Sequence, residues 1–509
     1  MSRGQRIPVR RDTAVAFVGF APRGPIDIPV SIRSVDEYLK RFGSADHPDR
    51  FRYILAQFFN NGGGSAIVVR VCPSSRRCRI FLGGPAGALV LEARNPGPWE
   101  YLRASVDYDH INVQHSARFN LIIHRLTSPR SHIVEEQEIF SGVSVDREDA
   151  DFVGHILMNS HLVGLCGDPP EQPPDSTLSL GIEAGAAYIY ADCNWQDAES
   201  FTDYDLVGSI ADSTGLFALD RVPNLDLVCL IPGSESQDIG PVALFTAERY
   251  CRRRNAILLR DPPVSWSSVA EIRKFNRDSD TSSPNVMTYF PRLNPIDGRS
   301  EESLSSALGA IAGRLAAEDA TYGFGGAPVG DSIMLRCRNR VQENLSEVEC
   351  KTLIRAGVNP LRELGAGRLS LDGLVTFARG RGYHPNLDDL RKCRLTLFVI
   401  DSIIRGTRWA AFEDNAPQIW SEVRQQVEDF LRDLFSQCAS VGDVPKNAYY
   451  VICDQETNRT GKHGVSPGVT LIAGFELGGG QSVAFRFMQE IKECRVREVF
   501  WRPYIALAS

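Results

Sequence analysis

Short runs of β-branched and aromatic residues recur along this chain with helical stretches between them. That alternation restricts the fold more than any other feature of the sequence. AIVVRV at 66–71 is nearly continuous in apolar residues, the pattern of a strand covered on both faces by helices. TAVAFVGF at 13–20 ends in the turn cluster APRGP, and NLDLVCLI at 224–231 ends in PGSES. Further strands are predicted at 256–259 and 285–290, with helices at 34–43, 51–59, 241–254, 267–275 and 301–319. The first helix carries a Ser34 cap, acids in its first turn, Lys40 and Arg41 late, and Gly43 as its stop. Strands alternating with helices imply right-handed crossovers and a mostly parallel sheet.

Two stretches depart from this rhythm. From Cys72 to about Gly142 there is no helical period, and strands such as GALVLEA, YLRASVDY and FNLIIHRL alternate with turns. This texture predicts a β-sandwich or small barrel inserted in the α/β unit. A helix over EDADFVGHILMNSHLV would close it, before the Pro-rich segment GDPPEQPPDST. Near the end, two amphipathic helices at 388–405 and 416–437 flank the loop TRWAAFEDN. Strands follow at 448–453, 469–473 and 482–491, the last with Val483, Phe485, Phe487, Gln489 and Ile491 on one face. The expected fold is therefore multidomain α/β and α+β, with an arm at 1–12 and an α/β domain at 13–71 with 190–365. An inserted domain at 72–189, a C-terminal domain at 366–490 and an arm at 491–509 complete it.

Its 509 residues exceed one ordinary domain. A hydrophobic fraction of 43% with 23% charged residues belongs to a globular protein able to bury large cores without staples. The net charge of -7 gives no reason to expect a nucleic acid or an acidic membrane as partner. The longest apolar runs fall far below the roughly 20 residues that span a bilayer. Met1 to Arg11 carries Arg3, Arg6, Arg10 and Arg11 but no apolar stretch follows, so it does not read as a secretory signal. The 12 cysteines are scattered and form no C-x-x-C pair, which fits synthesis in a reducing cytoplasm.

Candidate chemistry fails at each place it could arise. Gly464-Val465-Ser466-Pro467-Gly468 matches a nucleophile elbow, but Pro467 removes the N–H that such an elbow uses as an oxyanion donor, and the following residues read as strand. Gly330-Asp331-Ser332 lacks a matching D-x-x-H. His110, His115, His124 and His132 have no standard ligand spacing. Gly62-Gly63-Gly64 lies between helix and strand, the reverse of a phosphate loop, and Gly461-Lys462 lacks the rest of a Walker A motif. Asp261-Pro262-Pro263 sits at the carboxyl end of a parallel strand and reads as a turn. No catalytic, cofactor or metal site is expected.

Several ordered segments together resemble the sheath proteins of contractile phage tails and phage-tail-like injection machines. TAVAFVGFAPRGPIDIPVSIRSVDEYLKRFG is similar to that family's opening strand, "rGP" turn and first helix, and FFNNGGGSAIVVRV to its next helix, turn and strand. NLDLVCLIPG with AERYCRRRNAILLRDPP resembles its central strand–helix–strand. Ala312, Gly313, Asp319, Gly323, Ala327, Pro328 and Gly330 match its "AG…D…G…AP.G" helix and loop. GVNPLRE resembles a family turn, and Phe412-Glu413-Asp414-Asn415 with Trp420 lies in a stretch like its C-terminal domain.

The resemblance implies a non-enzymatic subunit that stacks in hexameric layers around an inner tube and contracts to drive the tube through a target envelope. It implies a subtilisin-like α/β domain without catalytic residues, an outward-lying insertion and a C-terminal domain facing the tube. The implied partners are other copies, the inner tube protein, and baseplate and cap proteins, with no nucleic acid and no membrane insertion. The implied location is a phage tail or tail-like particle, after synthesis in a bacterial cytoplasm. Family subunits are linked by terminal arms that add strands to a neighbour's sheet. Here the candidates are Arg3, Arg6, Arg10 and Arg11 at the start, and Val499, Phe500, Trp501, Tyr504, Ile505 and Leu507 at the end. The family's "PGVY.eE"-like segment is absent before the first strand, which leaves open a non-contracting cap or baseplate-proximal protein. A divergent hydrolase is the remaining alternative.

Overall fold

A computed structural model describes residues 4–499 apart from 11, 44–49, 73–76, 98, 112–117, 130, 181–186, 194–201, 234–237, 279–281, 295–304, 325–331, 338–339, 365–367, 379–384, 439–448, 461–463, 466–467 and 478–481. At its centre is a nine-stranded sheet. Val15–Phe20 lies between Leu227–Ile231 and Ala66–Val71, parallel to both. Ile257–Arg260, Val286–Phe290 and Asn359–Glu363 extend the parallel run on one side. Alternation along the first strand divides the core into two layers. Val15 and Phe17 face a cluster with the helices Val35–Phe42, Arg50–Asn60 and Leu308–Tyr322. Ala16 and Val18 face a cluster with Pro241–Arg253 and Val269–Asp278. Both faces are covered, which is why these strands are apolar at nearly every position.

Two glycines explain how closely these helices meet. A Cβ on Gly309 would stand 1.9 Å from the Ile54 carbonyl oxygen, and one on Gly313 2.1 Å from that of Phe58. Any side chain at either position would push Leu308–Tyr322 away from Arg50–Asn60. The sheet also runs past the expected boundary at 365. Arg368–Asp372 pairs antiparallel with both Asn359–Glu363 and Ser332–Arg336, so these residues complete the large sheet rather than opening the C-terminal domain.

Residues 78–193 form two small antiparallel sheets around one core that includes Leu89, Leu91, Val106 and Leu121. The helix expected over 148–163 is reduced to Val153–Ile156 and a 3-10 turn at Leu157–Asn159. Its last residue opens the strand Val163–Leu165, which pairs with Gly87–Ala93. Cys78 and Cys193, 115 residues apart, form a disulfide across this unit. Arg70 and Arg23 fasten the unit to the large sheet. Buried Arg70 donates to the carbonyls of Ala21 (2.8 Å), Gly24 (2.7 Å), Pro22 (3.1 Å) and Pro96 (2.8 Å). Arg23 of the APRGP turn pairs with Glu135 at 2.7 Å.

The C-terminal module packs Leu390–Gly406 and Pro417–Cys438 on a four-stranded antiparallel sheet. That sheet runs Tyr449–Ile452, Val469–Glu476, Ser482–Gln489 and Cys494–Glu498.

Candidate assembly surfaces

Residues 4–10 are bound into their own chain at the junction of the two larger domains. Ile7 is 2% exposed and belongs to the C-terminal core. Arg10 holds Asp226 bidentately at 2.9 and 2.8 Å, and Asp226 also accepts from the backbone N–H of Ala14 at 2.7 Å. The Arg10 guanidinium lies over the stacked rings of Phe324 and Phe398, 5.6 and 5.3 Å from their centroids. Beside it, Arg394 pairs with the buried Asp319, which also accepts from the Thr13 hydroxyl at 2.5 Å. Burial pushes the Asp319 carboxyl above its ordinary value, against the pull of Arg394. The aspartate of the helix motif is thus a buried strut between the α/β sheet and the C-terminal helices.

The two described N-terminal arginines therefore have intramolecular partners. Arg10 is engaged as above, and Arg6 reaches Asp433 at 2.5 Å from an exposed position. Arg3 and Arg11 lie outside the described residues. At the other end, Cys494–Glu498 forms an edge strand that, among the described residues, pairs only with Ser482–Gln489, so part of the expected arm belongs to this chain's own sheet. Val499 continues it through an N–H bond of 2.9 Å to the Ala484 carbonyl. Phe500, Trp501, Tyr504, Ile505 and Leu507 lie outside the described residues.

The positions weighed for chemistry are dispersed. His124 accepts from Arg103 Nε at 3.2 Å inside the inserted unit, and burial, then Arg103, lowers its pKa. His110 and His132 are exposed, and His115 is not described. Among the described residues, no group of three or more His, Cys, Asp or Glu side chains could hold a metal ion. Ser466 is not described, and Gly468 leads into a strand rather than a helix. Ser332 opens the sheet-edge strand Ser332–Arg336. Asp261 differs from its expected role as a turn residue. Its buried carboxylate accepts from the Tyr289 hydroxyl and from Ser306 Oγ at 2.7 Å, while Tyr289 accepts from the N–H of Ala307 at 2.7 Å. Burial first, then Asp261, raises the Tyr289 pKa well above its ordinary value. These bonds position the start of Leu308–Tyr322 and show a structural use for a residue at a common ligand position.

A doubly covered parallel sheet, an inserted all-β unit and an α+β module are tied together here by buried arginines, and solved contractile tail sheath proteins share this fold. No family model matches the sequence, and no curated protein does. The likeness lies in the fold. A sheath tail protein from Listeria innocua aligns with a TM-score of 0.64 at 11% identity, over 96% of this chain and 97% of that one. A sheath tail protein from Desulfitobacterium hafniense aligns at 0.55 and 9% identity, covering 97% of each chain. The contracted sheath complex of an extracellular contractile injection system aligns at 0.51 and 14% identity, over 99% of this chain and 92% of that one. Among the described residues, no helix is long and apolar enough to cross a membrane.

Proposed function

We propose that this chain is the structural subunit of a contractile tail sheath. Its copies stack as hexameric layers around an inner tube and shorten against a baseplate, driving the tube through a target envelope. The observation that carries this reading is the end-to-end likeness to sheath tail proteins, which embraces every domain rather than one shared module. In this reading the large sheet is a subtilisin-like domain without catalysis, the inserted unit is a β-sandwich lying outward, and the C-terminal module faces the tube. The subunit is not an enzyme; its work is stored in subunit contacts. Heterologous contacts that do not close a ring generate such helical arrays.

The C-terminal arm is the stronger link, running from the edge strand Cys494–Glu498 through Val499, Phe500, Trp501, Tyr504, Ile505 and Leu507. An apolar tail next to an open sheet edge is an association hazard unless it pairs with another chain. Arg3 and Arg11 would supply the basic part of an N-terminal contact. Electron microscopy of the purified protein tests the assignment. Tubes of six-fold layers are expected, and a second, shorter and wider form marks contraction. Monodisperse monomers at high concentration would overturn the reading, and tubes that never shorten would place the chain in a non-contracting role.

A further inference from the structure

An apolar cleft of about 520 Å³ opens between the helices Pro241–Arg253 and Val269–Asp278, from Arg260 at the carboxyl end of one parallel strand to Val286 at the amino end of the next. Leu244, Phe245, Phe275 and Phe377 wall it. Phe245 is 59% exposed at its mouth, with the Arg249 guanidinium 5.5 Å from its ring centroid. Arg260 lines the interior, 5.7, 5.8 and 5.5 Å from the ring centroids of Trp266, Phe275 and Phe377. Its Nε and Nη2 are buried and have no hydrogen-bond partner among the described residues. A guanidinium edge left in this way is costly and matches the spacing of a carboxylate. Burial lowers the Arg260 pKa to about 10. The acids close by are already committed. Asp238 accepts from Arg292 at 2.7 Å, and Glu248 accepts from Arg252 at 2.8 Å and from Ser283 at 2.7 Å. The cleft is therefore aromatic, open and short of negative charge.

The complementary shape stands on the C-terminal module. Phe412 ends the 3-10 turn Arg408–Phe412 and is 68% exposed, followed by exposed Glu413 and Asp414. This corner is held rigid. Trp409 donates to Gln426 Oε1 at 2.9 Å, Arg408 donates to the Glu490 carbonyl at 2.5 Å, and the Arg408 guanidinium lies 5.8 Å from the Phe412 ring centroid. On the far side Trp420 donates to Asn415 Oδ1, and Asn415 Nδ2 to the Gly468 carbonyl at 3.2 Å. A fixed aromatic held out in water has already lost the conformational freedom that docking would otherwise cost.

We propose that the Phe412-Glu413-Asp414 corner of one copy inserts into the Arg260 cleft of a second copy. Phe412 fills the apolar interior, and the two carboxylates meet Arg260 and Arg252. The two surfaces lie on different domains of one chain, so the contact can run head to tail and propagates wherever its rotation does not close a ring. This rests on the self-assembly reading above, and the experiment separates the two. If the unaltered chain forms no tubes, the sheath reading fails and takes this contact with it. If it forms tubes, Phe412→Ala is expected to raise the critical concentration roughly tenfold or more, as loss of a buried aromatic anchor does. Thermal unfolding of the monomer should not change. Glu413→Arg should behave similarly, and adding Arg252→Glu to it should restore assembly. Tubes forming from Phe412→Ala at the unaltered concentration would overturn this contact and leave the sheath assignment standing. A photoreactive benzoylphenylalanine at 412, in tubes of mixed isotopic labelling, should crosslink two copies through residues 241–253 or 269–278. Crosslinks confined to other surfaces would also overturn it, whether the cleft then takes a small carboxylate or the 500–509 tail.

Discussion

Residues 4–10 and 494–499 are both short and arginine-bearing, and both pack against the same C-terminal core, yet they are held in opposite ways. Ile7 is enclosed by that core, and Arg10 is fixed by a bidentate pair and two aromatic rings. Among the described residues, Cys494–Glu498 has one ladder partner and one open edge; Cys494 and Val496 lie partly buried against the core while Arg495 and Arg497 are exposed. The enclosed segment spends the Ile7 side chain and both terminal nitrogens of Arg10 on contacts within the chain, so another copy can gain little from them. On its other side the edge strand has no ladder among the described residues, and a neighbouring strand can supply one. A basic composition at the start of the chain is therefore a poor guide to a linker, and an open ladder is a better one.

The contrast breaks most visibly at Arg10. Arg10→Met would leave Asp226 buried without its counter-charge, and loss of one member of such a pair costs about 3–5 kcal/mol. Thermal or denaturant unfolding should register that loss as a large fall in midpoint. A midpoint unchanged by the substitution would mean that the N-terminal segment is not anchored and remains available as an arm. Ile7→Ala should come next, at about 2–3 kcal/mol, since the side chain is buried but lies at the margin of its core. Isothermal urea titration with an unchanged m-value is the suitable check.

The layered sheet was readable because doubly covered strands are apolar throughout and the first of its helices carries an ordinary cap. Ser34 does cap its helix, accepting from the N–H of Glu37 at 3.1 Å. The face Val483, Phe485, Phe487 and Gln489 is also buried as the alternation predicts. Polar Gln489 is tolerated there because it donates to the Ile404 carbonyl at 2.9 Å and to Thr407 Oγ1 at 2.7 Å. Ile491 falls outside the pattern, 68% exposed, because the strand ends at Gln489. The end of the helix expected at 148–163 was lost to a tertiary demand: Val163–Leu165 pairs with residues 70 to 74 positions earlier, which local propensity does not report. The same holds for the surfaces. Arg10 with Asp226, Arg394 with Asp319 and Cys78 with Cys193 are contacts between residues far apart in sequence, and no local spacing marks them. The Phe412 corner was legible as a resemblance, but its exposure depends on what does not pack over it.

The smallest expected effect on stability belongs to the other end, and it carries the largest expected effect on assembly. If 500–509 serves another copy, removing it leaves every residue of the described core clusters in place, and unfolding should match that of the intact chain. The edge strand Cys494–Glu498 keeps its ladder with Ser482–Gln489, because its partners all precede the cut. What the truncation removes is the apolar run Phe500, Trp501, Tyr504, Ile505 and Leu507 that would continue from the open edge into another copy. Sedimentation and electron microscopy of the truncated protein should therefore find folded particles that do not elongate. Tubes of normal length would move the link between copies away from this end and back toward Arg3 and Arg11, and the contrast between the two termini would then be reversed.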